Sequence, residues 1–522
     1  MTQPQMIALE IHDISLWDAS RVLPIIDTME NWGYNALVLH QNDLLDIATQ
    51  LGLTANYGVS DLRLKKVRNA TAWLNRLVDR LVRFDAKLFL EIKEPSFHDY
   101  ALEIYPDLLG EHGLPDPTSP SWCAFCEAKT KDLLARVPGL GGLIVNLSSP
   151  ESRVSVPDYL AVSASEPMDM KDWFRQMIAA FHKPLAAADM ALYVRDFSYT
   201  ADMQSDVLNA VDAYDGKVGA SVKITAHDYF PEYPENPAAH MTNAPMIMEF
   251  EAFGEHMGWG VIPNCRVAEF RERMAGYRDL GAVGILMRTS WEAIPGANAL
   301  DTLSALNVFA LPKLIHEDAP PRELIGAWLQ ETFGLDGPLA KVATDLLLDS
   351  WQIPAAAYWD TQVFPRHSCL PSTWQEGWLS MASNGMGRRD RDLAINKNDP
   401  KLSETARVRL FAEKETMSRQ ASDLAERASL LSEGLTPDLA ELFAAFVWVP
   451  YFARQFELAI KATFFAARAT SSDLQELPAL RTELLTLAGA LEDAFRKKPD
   501  VAHHAKVLLD PEQIKLFVQS LT

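Results

Sequence analysis

Apolar runs long enough for buried strands recur at residues 6–10, 36–40, 87–92, 142–146, 190–194, 218–223, 246–250 and 283–287. Runs such as LFLEI, GLIVN and VGILM do not alternate strictly with polar residues, as expected of parallel strands covered on both faces. Between them lie helical patterns. One is SRVLPIIDTMENWG, with Ser20 as the expected N-cap and Gly33 as the C-terminal stop. Eight strands alternating with helices predict a (β/α)8 TIM barrel of the α/β class.

The strand pattern ends near residue 318. Helical periodicity then dominates, in PRELIGAWLQETFG, in LSETARVRLFAEKETMSRQASDLAERASLL and across 437–498. The expected organisation is a catalytic barrel over 1–318 and a mainly helical C-terminal domain over 319–522. Residues 351–400 are irregular and rich in Trp, Pro and Gly. Trp359, Trp374 and Trp378 there are read as core, with folding over a sugar-binding mouth as the alternative. The apolar stretch 441–467 is broken by Pro450, Arg454, Glu457 and Lys461, which suits a buried helix pair and not a membrane span.

Titratable residues collect where the strands end. The fullest case is MIMEFEAFGEHMGWG, an apolar run that delivers Glu251, Glu255 and His256 into a Gly-rich segment. Other strand exits carry His12 and Asp13, His40, Glu94, Glu151, Arg195, Lys223 with His227 and Asp228, and Arg288 with Trp291 and Glu292. In a TIM barrel this end of the strands bears the active site. A net charge of −22 over 522 residues argues against nucleic acid or an anionic membrane surface as partner. No basic segment followed by an apolar run opens the chain, so a cytoplasmic protein is expected. Four cysteines do not make a disulfide framework, and the lone Cys123–Cys126 CxxC is read as structural thiols at the start of a helix.

Several of these stretches resemble the α-glucuronidases of glycoside hydrolase family 67. LPDPTSPSWCAFCEAKTKDLLARVPGLGGLIVNLSSPES is similar to that family's Asp-Pro turn, helix and strand ending in Ser-Glu, with Pro150 as an extra residue before Glu151. KITAHD is similar to the strand-six motif and MEFEAFGEH to the strand-seven motif, and the likeness spans roughly residues 1 to 335. The resemblance implies a glycosidase acting with inversion, with Glu151 as general acid and Asp228 and Glu255 as the carboxylates that activate water. It also implies an oligosaccharide bearing an acidic or branched sugar as substrate, and a homodimer formed through the helical domain. Asn146 stands where the family has a carboxylate-binding lysine, and Ala191 matches best the position of its arginine. Lys223 remains, and Arg195 is the expected substitute. The family's domain before the barrel is not matched.

Inversion requires two carboxyls about 6.5–9.5 Å apart, which strands four, six and seven of one barrel can supply. Lys223, Asn146, Arg195, His227, His256, His40, Arg288 and Trp291 are the expected substrate-binding residues, with no metal and no cofactor. The alternatives are a divalent-metal sugar isomerase or epimerase, with ligands from His12, His40, Asp228, Glu255 and His256, and a non-catalytic carbohydrate-binding protein.

Overall fold

A computed structural model describes residues 6–50, 61–98, 101–110, 113–147, 149, 151–154, 156, 169–198, 201–225, 228–230, 235–357, 366–383 and 404–522. Eight parallel strands close a barrel in sequence order. They are β1 Met6–Ile11, β2 Ala36–His40, β3 Lys87–Lys93, β4 Gly142–Asn146, β5 Ala191–Arg195, β6 Gly219–Lys223, β7 Met246–Glu251 and β8 Gly284–Arg288. Each of the eight apolar runs is a strand, with ends moved by one residue at most. Helices Ala19–Trp32, Asp61–Leu81, Ser121–Arg136, Met170–Ala187 and Ala201–Asp212 alternate with them. Ser20 is not the first N-cap: the Asp18 carboxylate accepts from Ser20 N at 2.8 Å, and the helix starts at Ala19. A carboxylate reaches the free amides of the first turn as readily as a hydroxyl does. Gly33 ends that helix as expected, at φ 85°.

Met6, Ala8, Ala36, Val38, Phe89, Ile144, Tyr193, Ile247 and Leu286 form one buried apolar cluster. Side chains two apart share a face of a strand. The next position on that face is therefore Glu10 on β1, His40 on β2, Glu91 on β3, Asn146 on β4, Arg195 on β5, Glu249 on β7 and Arg288 on β8. The barrel interior thus has an apolar tier and, toward the strands' carboxyl ends, a polar one. Gly219 pairs with Tyr193 across β5 and β6, and a Cβ there would lie 2.4 Å from the tyrosine ring. Its missing side chain makes room for the ring in the apolar tier.

The chain forms two compact units. The first comprises Met1–Ile224, Glu235–Phe250 and Gly276–Gly296, and so holds all eight strands except Glu251, the last residue of β7. The second comprises Thr225–Pro234, Glu251–Ala275 and Ala297–Thr522. It contains the long helices Glu404–Ser432, Val449–Arg468 and Ser471–Lys497, and also the segments that follow β6 and β7. Among the described residues no helix is long and apolar enough to cross a membrane.

Candidate active site

In the barrel unit the polar tier is a dense set of buried charges. His40 Nδ1 lies 2.7 Å from Glu10 Oε1 and 3.2 Å from Glu91 Oε1. The His12 ring stacks on His40 with centroids 3.5 Å apart and planes 4° from parallel. Arg195 donates to both oxygens of Glu249 at 2.9–3.0 Å and reaches Glu91 Oε1 at 3.0 Å. Ser221 adds a third donor to Glu249 at 2.7 Å. Arg288 lies 2.6 Å from His12 Nδ1 and donates to Glu292 at 2.9 Å.

These surroundings separate the carboxylates. Burial raises Glu10 to about 7, although Arg288 and Arg195 oppose the shift. Burial likewise pushes Glu91 well above the usual carboxylate range. Glu249 is buried too, yet the Arg195 fork, with Lys223 and Ser221, brings it below its ordinary value. Burial, reinforced by nearby cations, holds His12 and His40 well below the usual imidazole range.

The residues expected to bind substrate from this unit have definite partners. The Arg195 guanidinium is committed to two carboxylates, and the Lys223 ammonium stands 3.9 Å from the centre of the Phe197 ring. Asn146 is buried between Lys93 and Arg195 in the strand register, and Trp291 is buried. Glu151 is exposed, its amide donates to Ser149 Oγ at 3.1 Å, and its carboxylate pairs with buried Lys93. Pro150 and His227 lie outside the described residues. Glu94, another strand-exit carboxylate, has a structural setting: Lys129 donates to both its oxygens and also reaches Asp46.

A second cluster belongs to the helical unit. His256 Nε2 lies 3.2 Å from Asp228 Oδ2 and 3.5 Å from Glu255 Oε1, so one buried imidazole joins the two expected water-activating carboxylates. Burial lowers the His256 pKa, with both carboxylates opposing. Phe230 stacks on the His256 ring at 3.7 Å. Glu251 Oε1 accepts from Glu255 N at 2.9 Å, fixing the turn that presents Glu255. Trp259 Nε1 and Ser368 Oγ both donate to Glu255 O, and Gly258 N donates to Ser368 Oγ.

The expectation from sequence omitted His367, whose Nδ1 lies 2.9 Å from Glu255 Oε1. It lies 112 residues beyond Glu255 in an irregular segment, so no local periodicity points to it. Glu10, Glu91 and Glu249 are not strand-exit residues, because they sit inside apolar runs. Their signal is an acidic residue two positions beyond an inward apolar one.

No protein-family model matches the chain, and no curated protein matches it. Among solved structures, the chain is similar to a GH138 enzyme targeting pectin rhamnogalacturonan II, at 10% identity and a TM-score of 0.65. The match covers 94% of this chain but only 62% of that one, so the chain spans less than two thirds of that protein's length. A β-N-acetylhexosaminidase from Bacteroides fragilis matches at 12% identity and a TM-score of 0.42, over 63% of this chain and 70% of the other. An exo-β-N-acetylglucosaminidase from Vibrio harveyi matches at 10% identity and 0.40, over 60% and 54%. At these identities the first similarity speaks to fold, and the other two TM-scores are too low to carry weight. The chain has a (β/α)8 barrel followed by a helical region, an architecture similar to that of the GH138 enzyme.

Proposed function

We propose that this chain is a glycoside hydrolase. The observation that carries the reading is the Asp228–His256–Glu255 arrangement on the segments following β6 and β7, where a TIM barrel concentrates catalytic groups. In this reading Asp228 and Glu255 hold and deprotonate the attacking water, and His256 orients them. Glu151 is the general acid that protonates the leaving oxygen, a role that follows from the resemblance to the α-glucuronidases. The outcome is inversion, and the substrate is an oligosaccharide with an acidic or branched sugar. Lys223 is the proposed contact for an acidic group, and Asn146, Arg288, His40 and Trp291 are proposed substrate-binding residues. Cytoplasmic residence and a homodimer through the helical region belong to the same proposal.

The test is product release from glucuronylated xylo-oligosaccharides alongside neutral α- and β-linked ones, with Glu255→Gln as control. Release of glucuronic acid, initially as the β-anomer and lost in the variant, is the expected result. Release of a neutral sugar alone would keep the glycosidase and remove the uronic-acid specificity. Silence across the panel would sink the reading.

A further inference from the structure

Three potential ligand atoms meet in the second cluster, with Asp228 beside them. Asp228 Oδ2 and Glu255 Oε1 stand 3.2 and 3.5 Å from His256 Nε2, and His367 Nδ1 stands 2.9 Å from the same Glu255 oxygen. Ligand atoms of Glu255, His256 and His367 all lie within 4.8 Å of one another. Nitrogen and oxygen ligands held about 2.0–2.2 Å from a divalent ion are separated by roughly 3–3.5 Å around it. A single proton on His256 Nε2 would have to be divided between two carboxylates, whereas one cation can meet the Glu255, His256 and His367 atoms together.

The backbone around these atoms is held in unusual geometry. Asp228 and His367 are both non-glycine residues in the left-handed region, at φ 44° and 49°. Such conformations persist where surrounding contacts determine them, and they concentrate at ligand sites. Ser368 supplies one such contact, accepting from Gly258 N and donating to Glu255 O. The Phe230 face fixes the His256 ring, while the His367 side chain is 30% exposed and leaves a route for an ion.

We propose that Glu255, His256 and His367 form a binding site for one divalent transition-metal ion, with Asp228 beside it against His256. Two imidazole nitrogens with a carboxylate oxygen suit Zn²⁺, Mn²⁺, Co²⁺ or Fe²⁺ better than Mg²⁺ or Ca²⁺, which favour all-oxygen sets. The barrel unit contains a similar triplet, Glu10, His12 and His40. There the Arg288 guanidinium, 2.6 Å from His12 Nδ1, sets a fixed positive charge where an ion would have to sit. The metal site departs from the sequence-based expectation of no metal, and it goes beyond the glycosidase reading because binding is measured without a sugar.

The test uses the full chain, stripped with chelator and titrated with Zn²⁺ by calorimetry and with Co²⁺ by visible absorption. One ion per chain is expected, with a rise in Tm that chelator reverses. His367→Ala and Glu255→Gln should each weaken binding at least tenfold and the double variant carrying both should abolish it, while His240→Ala, at an exposed histidine, should leave it unchanged. Absence of binding for Zn²⁺, Mn²⁺ and Co²⁺ by the folded chain would overturn the proposal, as would undiminished binding in the double variant. If the double variant does not fold, the Co²⁺ spectrum of the unaltered chain decides: bands of a nitrogen-ligated ion support the site, and an unperturbed aquo-ion spectrum overturns it. Binding without turnover would sink only the glycosidase reading, and turnover by a folded chain that takes up no metal would sink only the metal site.

Discussion

The barrel-throat cluster and the Asp228–Glu255 cluster both gather buried carboxylates and histidines but balance their charge differently. In the throat, Glu249 and Glu91 are met by the Arg195 guanidinium, and Arg288 reaches Glu292 and His12. In the second cluster, Asp228 and Glu255 are met by the imidazoles of His256 and His367. A guanidinium is a permanent cation in a fixed fork, so the Glu249 and Glu91 side of the throat is locked. An imidazole can give up its proton, take one, or bind a metal, so the second cluster can change state. Substitutions in the throat should therefore act on stability and those in the second cluster on chemistry.

The largest effect expected is on turnover. Glu255→Gln should lower kcat on the substrate identified by the panel by about 10²–10⁴-fold, the usual range for a lost general base. With metal removed by chelator, its Tm should stay close to that of the unaltered chain under the same conditions, and a large fall in Tm would erase the contrast between the clusters. Arg195→Met should show the opposite pattern. It strands Glu249 and Glu91, both fully buried, and denaturant unfolding should report a loss of about 3–5 kcal/mol. An Arg195→Met, Glu249→Gln double variant should recover part of that loss.

The throat should also respond to pH. Glu10 is raised from 4.5 to about 7, so between these values the folded chain holds a proton that the unfolded chain releases. Its contribution to stability is intact below pH 4.5 and is lost as pH rises toward 7, on the order of 3 kcal/mol in total. Glu10→Gln cannot ionise, so its stability relative to the unaltered chain should climb across that window. A difference that stays flat from pH 4.5 to 7.5 would show that Glu10 titrates normally. His12 and His40, with lowered values, act in the other direction: their contribution is present above 6.5 and is lost as pH falls below it. The smallest effect should come from the apolar tier, where Gly219→Ala drives a Cβ into the Tyr193 ring at a cost of about 1–3 kcal/mol, read from the unfolding midpoint.

The strands could be read from the sequence because each is a local apolar run bounded by polar residues. Asp228, Glu255 and His256 could be read because they follow those runs directly. The throat acids could not be found by scanning for strand exits, since Glu10, Glu91 and Glu249 lie inside the strands. Finding them needs the inner face, which can be followed from Ala8 to Glu10, Phe89 to Glu91 and Ile247 to Glu249 once one member is known to point inward. His367 was beyond reach of any local pattern. Its place beside Glu255 depends on a contact across 112 residues. The grouping of the segments after β6 and β7 with the helices is likewise a matter of long-range contacts, to which helical periodicity is blind.

The polar tier has a further consequence for how the barrel finds its alignment. Every residue of β1 is buried, so Ala8 and Leu9 would be equally content on either face, and hydrophobicity gives this strand no preferred orientation. A slip of one position would turn Glu10 outward, away from Arg288 beside it in register, and bring Leu9 and Ile11 inside. Arg195 and Glu249 would part in the same way if β5 or β7 slipped. The buried charges therefore serve as alignment marks: they make one threading of eight nearly interchangeable apolar strands far less costly than its neighbours.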